Sequence, residues 1–165
     1  MGRASTKENK SIYQTTREEL KLTREKASEL IGFMSAEHIE KIENDKINIQ
    51  PDDVMALAQC YKAPKLCNYY CSNECPIGKK YVPEVQIKDL AQIAIETLNS
   101  LNKINREKDR LLEIIEDGRV TDDEIADFAS IKKTLDKISL SVDTLQLWVD
   151  QAIAEGNLDE TIFTD

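Results

Sequence analysis

The sequence predicts an all-α protein. Of its 165 residues, 41% are hydrophobic and 5% aromatic, with only five Gly and four Pro. Most of the apolar residues are Leu, Ile and Ala, which suit helices better than pleated sheets. In the second half of the chain, apolar residues recur in steps of three and four along two long segments. That period is typical of long helices that pack along a seam.

The charge balance is acidic and uneven. The chain carries 22 Lys+Arg against 31 Asp+Glu, a net charge of −9. Residues 1–64 hold ten basic and eleven acidic side chains, whereas residues 65–165 hold twelve and twenty. The whole chain therefore lacks the basic field of a nucleic-acid coat protein, but its N-terminal part can still approach an anion. The composition also excludes collagen-like, Pro/Gly-rich disordered and disulfide-dense secreted proteins.

Targeting and catalytic motifs are not found. The first thirty residues contain no apolar core of a signal peptide, and no later stretch is apolar enough to span a bilayer. We therefore expect a cytoplasmic protein with no membrane partner. The chain has one histidine, His38, and lacks a Gly-rich phosphate loop, G-x-S-x-G and H-E-x-x-H. We do not expect an enzyme.

Residues 12–63 predict four or five short helices separated by brief turns. Thr23 and Ser35 are favourable N-cap residues, and Gly32 supplies a turn between the helices that they begin. Pro51 suits the first position of a later helix and is followed by two aspartates. A helix, a glycine turn and a helix capped by serine make the layout of a helix-turn-helix.

The motifs of residues 12–63 resemble the Cro and phage-repressor type of helix-turn-helix, the Xre family. The residues that carry this resemblance are Leu22-Thr23-Arg24-Glu25-Lys26-Ala27, Gly32, Ser35, Ile39, Lys41-Ile42-Glu43 and Pro51. The segment that follows, from Tyr61 through the cysteines to Gly78, is similar to that of Xre-type proteins of Firmicutes. The resemblance implies a transcriptional regulator that binds double-stranded DNA through its third helix.

The resemblance also implies the DNA-binding residues. The carboxylates of Glu37 and Glu40 would be repelled by DNA phosphates. Each would have to accept a hydrogen bond from cytosine N4 to contribute to binding in the major groove. With few basic groups nearby, we expect weak non-specific affinity and a shallow salt dependence. The alternative is a protein-interaction module that keeps the fold with weak or no DNA binding. The candidate DNA-binding residues are Arg24, Ser35, Ala36, Glu37, His38, Lys41 and Lys46.

Residues 64–84 form a Cys- and Pro-rich segment, which we interpret as the junction between two units. Pro64, Pro76 and Pro83 lie within it, and proline in a helix interior breaks regular structure. Its three cysteines, together with one earlier in the chain, allow three interpretations. They could bind zinc or another metal, act as a redox sensor whose thiol pKa is lowered by Lys65, or fill apolar space in the reduced form. These cysteines are Cys60, Cys67, Cys71 and Cys75. No other cofactor is expected.

Residues 85–156 predict an antiparallel, coiled-coil-like helical hairpin. Gly118 and the capping box from Thr121 to Glu124 mark a connection so short that the two helices must run antiparallel. The predicted first seam is Ile87, Leu90, Ala94, Thr97, Leu101, Ile104, Lys108, Leu111 and Ile115, and the second is Phe128, Ile131, Leu135, Ile138, Val142, Leu145, Val149 and Ala152. Residues 1–11 and 157–165 are predicted tails.

Apolar residues outside these seams predict an exposed patch near the cysteine junction that must be covered. Its predicted members are Ala91, Ile95 and Leu98 on the first helix and Leu140, Leu147, Trp148 and Ile153 on the second. A second copy of the hairpin would cover the patch as a four-helix bundle, which makes a homodimer through the hairpin the expected assembly. Docking of the N-terminal unit, a helical protein partner and ordinary packing within one chain are the alternatives.

Overall fold

The computed structural model describes residues 10–162, and every regular element in this range is helical, which confirms the all-α prediction. The chain divides into two compact units. The N-terminal unit contains the chain up to Glu84 and again from Asp150 onward, and the hairpin unit contains Val85–Val149. The elements are α1 (Ile12–Glu19), α2 (Arg24–Ile31), α3 (Ala36–Glu43), α4 (Pro51–Cys60), α5 (Lys65–Asn73), α6 (Gly78–Tyr81), α7 (Leu90–Ile115), α8 (Ile125–Ala154) and a 3-10 turn (Glu160–Ile162).

The predicted helix boundaries of the N-terminal unit are confirmed. The side chain of Thr23 accepts a hydrogen bond from the backbone N–H of Lys26 at 3.2 Å, and that of Ser35 accepts one from His38 at 3.1 Å. Gly32 ends α2 with φ of +86°, a conformation that residues with a side chain rarely adopt. These caps place the turn of residues 32–35 between α2 and α3.

The two predicted tails differ in what the structure describes. The N-terminal tail, residues 1–11, lies almost wholly outside the described range. The C-terminal tail, residues 157–165, contains the 3-10 turn. Within residues 10–162, no helix combines the length and the apolar character needed to cross a bilayer.

The core of the N-terminal unit is formed by α1 to α5 and the turns that join them. Ala27, Ile39, Leu57 and Leu66 are completely buried, and Tyr61 is 2% exposed. Ala27, Ile39 and Leu66 come from α2, α3 and α5, whereas Leu57 and Tyr61 come from α4 and its C-terminal end. The core therefore fixes the positions of α2 to α5 relative to one another.

An ion network lies in this core. The carboxylate of Glu43 at the end of α3 accepts hydrogen bonds from Nε and Nη2 of Arg17 at 2.6 and 2.9 Å, and from Nε of Arg24 at 2.8 Å. Its side chain is only 1% exposed. The remaining Nη1 of Arg17 donates to the carbonyl of Leu22 at 2.6 Å. The network therefore joins α1, α2 and α3 through one carboxylate.

The segment 64–84 is more regular than the expected junction. Each proline lies outside a helix interior: Pro64 immediately precedes α5, Pro76 lies between α5 and α6, and Pro83 follows α6. Gly78 lets α6 lie against α5, because a Cβ atom there would lie 1.9 Å from the carbonyl oxygen of Cys71. The prolines thus delimit two helices instead of abolishing regular structure, since proline is tolerated in a first turn.

Helices α7 and α8 run antiparallel within the hairpin unit, as predicted. Arg110 Nε donates to Asp127 at 2.7 Å, and Thr134 Oγ1 lies 3.1 Å from Oε2 of Glu107. The residue number falls along α7 while it rises along α8, which is the pattern of an antiparallel pair. At the connection, the backbone N–H of Thr121 donates to the carboxylate of Glu124 at 3.0 Å, in accordance with the predicted capping box.

The predicted seam of this hairpin is buried at Ile131, which is 2% exposed, but several of its other positions are rotated out of the interior. The side chains of Thr134, Ser141 and Thr144 are between 1% and 7% exposed, whereas Leu135 and Val142 of the predicted seam are 45% and 56% exposed. Each of the three hydroxyls donates to a carbonyl of its own helix four residues earlier. Small hydroxyl residues can therefore face the other helix without an unpaired donor.

Most of the exposed apolar residues of the two helices form one surface, whereas Ile95, Ile125 and Leu140 are exposed outside it. At 100° per residue, the residues of this surface lie on average roughly a quarter turn around each helix from the positions that face the other helix. Because the helices are antiparallel, these two rotations bring both rows to the same side of the hairpin. We call this surface the apolar face, and its members are Leu90, Leu98, Leu101, Leu112, Ile115, Phe128, Leu135, Val142 and Leu145, each between 37% and 60% exposed.

The patch predicted outside the seams is exposed only in part. Ile95 is 60% exposed and Leu98 is 59% exposed, but Leu147 is 6% exposed. Leu98 belongs to the apolar face, which extends much further along both helices than the predicted patch.

The ion network generates a prediction for folding. Replacing Glu43 with Gln leaves the buried guanidinium of Arg17 without its counter-charge, so we expect a loss of about 3–5 kcal/mol in the free energy of unfolding. Urea denaturation followed by circular dichroism measures it. Glu29→Gln is the control, because that carboxylate is exposed and pairs only with Lys26. A loss below about 1 kcal/mol, the size of a surface pair, would contradict the role given to Glu43.

Candidate nucleic-acid interface

The outer side of α3 is the candidate interface. Ile39 and Ile42 face the core at 0% and 3% exposure, which leaves the opposite side of the helix free. Glu37 and Lys41 are exposed, and Ala36 and His38 are half-buried. Since residues four apart lie on one side of a helix, Glu37 and Lys41 point to the same side, one turn apart.

Three of the predicted DNA-binding residues are engaged inside the N-terminal unit. Arg24 donates from Nε to the buried Glu43. His38 Nε2 lies 3.0 Å from Oδ2 of Asp53, in the first turn of α4. Lys46 donates to Oε1 of Glu40 at 2.9 Å. The hydroxyl of Ser35, a fourth candidate, is used in capping α3.

The pairing of Lys46 changes the expected roles of the two glutamates. The ammonium of Lys46 donates a hydrogen bond to Glu40 and holds the pKa of that carboxyl below its ordinary value. In the described residues 10–162, Glu37 and Lys41 make no ion pair. Of the two acids on α3, Glu37 is therefore the one whose oxygens are available to a base.

The comparison with known families supplies a match to this part of the chain. Residues 14–64, which span α1 to α4, match the family model described as Helix-turn-helix. The match covers about a third of the chain and supports the predicted helix-turn-helix domain of the Xre type. No curated protein and no solved structure matches the chain.

The match supports a DNA-binding regulatory role for this domain, and the resemblance noted above implies that α3 is its recognition helix. In this domain the second helix is α2, whose first residue is Arg24. The similarity of the Cys-rich segment to proteins of Firmicutes stays a prediction.

Sequence reasoning missed two residues that shape the recognition helix. Asp53 fixes the ring of His38, and Arg17 fixes the end of α3 through Glu43. Asp53 is distant in sequence from His38, and Arg17 is distant from Glu43. The acidic residues in the first turn of α4 indicated only where that helix begins. Glu43 belongs to the residues that carry the family resemblance, but nothing in its local sequence indicates that its carboxylate is buried between two arginines.

The four cysteines are distributed over α4, α5 and the turn that follows α5. All are reduced and half-buried. Within the part of the chain that the structure describes, no group of three or more His, Cys, Asp and Glu side chains has a geometry that could hold a metal ion. Binding of zinc or another metal stays a prediction, which metal analysis of the dialysed protein would test.

The electrostatic surroundings of two cysteines differ from the redox-sensor expectation. Burial raises the pKa of the Cys67 thiol, and the neighbouring Cys71 and Asp150 raise it further. Burial also raises the pKa of Cys60. Lys65 is the residue expected to lower a thiol pKa, but its Nζ atom lies 3.7 Å from Oε2 of Glu19 instead. A raised pKa reduces the thiolate fraction at neutral pH and thus the reactivity.

Alkylation would measure this effect. We expect iodoacetamide to modify Cys60 and Cys67 more slowly at pH 7.5 in the folded protein than in urea, with a rate that still rises above pH 9. Peptide mass spectrometry resolves each cysteine, and the urea-unfolded chain is the control. Equal rates in the folded and unfolded protein would contradict the raised pKa.

Proposed function

We propose that this protein is a sequence-specific DNA-binding transcriptional regulator that acts as a cytoplasmic dimer. The observation that carries the proposal is the helix-turn-helix domain with an exposed recognition helix. Glu37 and Lys41 are the residues that we assign to base recognition. A glutamate accepts from cytosine N4, and a lysine donates to guanine O6 or N7, so both can read a base edge in the major groove.

The remaining candidates serve mainly to position the recognition helix. Arg24 keeps its Nη groups for a phosphate while its Nε holds Glu43. Ser35 caps α3, and His38 is held by Asp53. Few cations are thus free for phosphates, which favours weak affinity of a single domain.

Dimerisation through the hairpin would compensate for this weakness. Full burial of an aliphatic side chain contributes about 1.5–3 kcal/mol of hydrophobic stabilisation. Each half-exposed member of the apolar face therefore lacks about 1 kcal/mol of this stabilisation. Nine such residues together forgo on the order of 10 kcal/mol, which is comparable to the stability of a domain. A second copy presents the same face, and packing the two makes a four-helix bundle with twofold symmetry.

The second candidate function is a protein-interaction module. The acidic Glu37 on the recognition helix and the internal pairing of Arg24 and Lys46 favour it. In this case the apolar face would take a helical protein partner. Selection of DNA from a random duplex pool decides between the two functions. Enrichment of a palindromic site at physiological salt supports the regulator, and no retention even at low salt supports the interaction module.

Single substitutions of the two glutamates on α3 give a sharper prediction. With Glu37→Gln, we expect the selected sequence to change from C·G toward A·T at one base pair in each half-site, because glutamine pairs with adenine. Glu40→Gln should leave the sequence unchanged, since Glu40 is paired with Lys46. It should instead free Lys46 for a phosphate and steepen the slope of log K against log salt by about 0.9.

Both variants and the wild-type protein are compared by selection and by fluorescence anisotropy on the wild-type site. An unchanged sequence preference of the Glu37→Gln variant would remove Glu37 from base recognition.

The apolar face is tested by one added charge. We expect Leu135→Lys to shift sedimentation equilibrium at micromolar concentration from dimer to monomer, because an ammonium in an apolar interface is costly. Asp143→Lys is the control, since this exposed residue of α8 lies outside the apolar face. Circular dichroism checks that both variants keep their helices. A wild-type monomer, or a dimeric Leu135→Lys variant, would refute dimerisation through this face.

A further inference from the structure

A cavity of about 480 Å³ lies beside the recognition helix, entirely within the N-terminal unit. Its walls come from α1, from the turn between α3 and α4, and from α5 with the segment that follows it. The volume is typical of sites for small organic molecules and far exceeds the space of a single water or ion. Asp45, Tyr13, Tyr70, Glu74 and Lys79 are the lining residues that matter for its chemistry.

The cavity has a negative charge that the protein does not neutralise. Glu74 accepts one hydrogen bond, from the hydroxyl of Tyr13 to Oε2 at 3.1 Å. Within residues 10–162, the carboxylate of Asp45 makes no hydrogen bond or ion pair. A carboxylate has about four acceptor positions, so most of this capacity is unused. Lys79 is the single cation among the lining residues, against two carboxylates.

Burial makes the charge of Glu74 costly. Loss of solvent raises the pKa of its carboxyl, and the nearby Asp45 raises it further, while the hydrogen bond from Tyr13 and the charge of Lys79 act in the opposite direction. A bound cation would remove this cost. Tyr13 is only 3% exposed, so the half-buried Tyr70 is the lining residue whose ring a flat cation can lie against.

We propose that this cavity binds a small organic cation with a planar amidinium or guanidinium group, held by Glu74 and Asp45 beside Tyr70. A planar fork of N–H donors matches a carboxylate with two parallel hydrogen bonds, which a spherical ion or an ammonium cannot make. The cavity wall includes residues 45–50, which directly follow α3, so the bound cation would touch the segment that leads out of the recognition helix. This site goes beyond the proposed function and does not depend on DNA binding.

Benzamidine and benzamide are a matched pair of probes, because they share size and shape but only benzamidine is charged. We expect isothermal titration of the full chain with benzamidine to give a Kd of roughly 0.1–1 mM, in the range of efficient ligands of this size. Benzamide at the same concentrations should not bind. No binding of benzamidine up to ten millimolar, or equal binding of both probes, would overturn the proposal.

Two substitutions locate the site. Glu74→Gln keeps an oxygen that can accept from Tyr13, and Asp45→Asn suits the left-handed φ of +55° at this turn, so both variants should fold. We expect each to weaken benzamidine binding at least fivefold. Glu29→Gln, which removes an exposed carboxylate outside the cavity, should leave the Kd unchanged. Equal weakening by all three variants would reveal a general charge effect and overturn the site, as would an unchanged Kd in the two cavity variants.

Discussion

The buried carboxylate of Glu43 holds the recognition helix in place. It accepts hydrogen bonds from Arg17 on α1 and Arg24 on α2, and it lies at the end of α3. Each of these helices has only eight residues, too few to be stable alone in water. Their arrangement must therefore come from contacts between helices. The three hydrogen bonds of Glu43 have fixed directions and so specify one set of angles between the helices. Apolar contacts are not directional and would allow several such angles.

In the proposed regulator, the same network would limit the affinity for DNA. A guanidinium used inside the domain is less available to a phosphate, and the pairing of Lys46 with Glu40 has the same consequence. The recognition helix then presents one acid and one base, Glu37 and Lys41, without internal partners in the described chain. Such a surface favours selectivity for base edges over general attraction to the backbone, and joining two copies raises the affinity by effective concentration.

The interior of the hairpin unit combines hydroxyl residues with a few aliphatic residues such as Ile93, Ile114 and Ile131. Hydroxyl residues of α8 lie toward α7, with their donors satisfied by their own helix, and most of the exposed aliphatic residues lie on one outer side. A two-helix unit cannot bury both surfaces at once. Its larger apolar surface therefore stays exposed in the single chain, and the proposed dimer would cover this surface with a third and fourth helix.

The sequence by itself determined the helices, their caps and the turn between α2 and α3. These features depend on backbone hydrogen bonds between residues three or four apart, and Thr23, Gly32 and Ser35 act on their immediate neighbours. The motif of residues 22–51 likewise indicated the helix-turn-helix domain, because it combines such local signals with a fixed pattern of core positions.

Only the tertiary structure decided which polar residues are available. The partners of Arg24 and His38 lie 19 and 15 residues away, so no local pattern could assign them. It also decided the rotation of α7 and α8, because steps of three and four occur on more than one side of each helix. Local rules fix where a helix begins and ends, but which side it buries depends on the energy of contacts with distant segments.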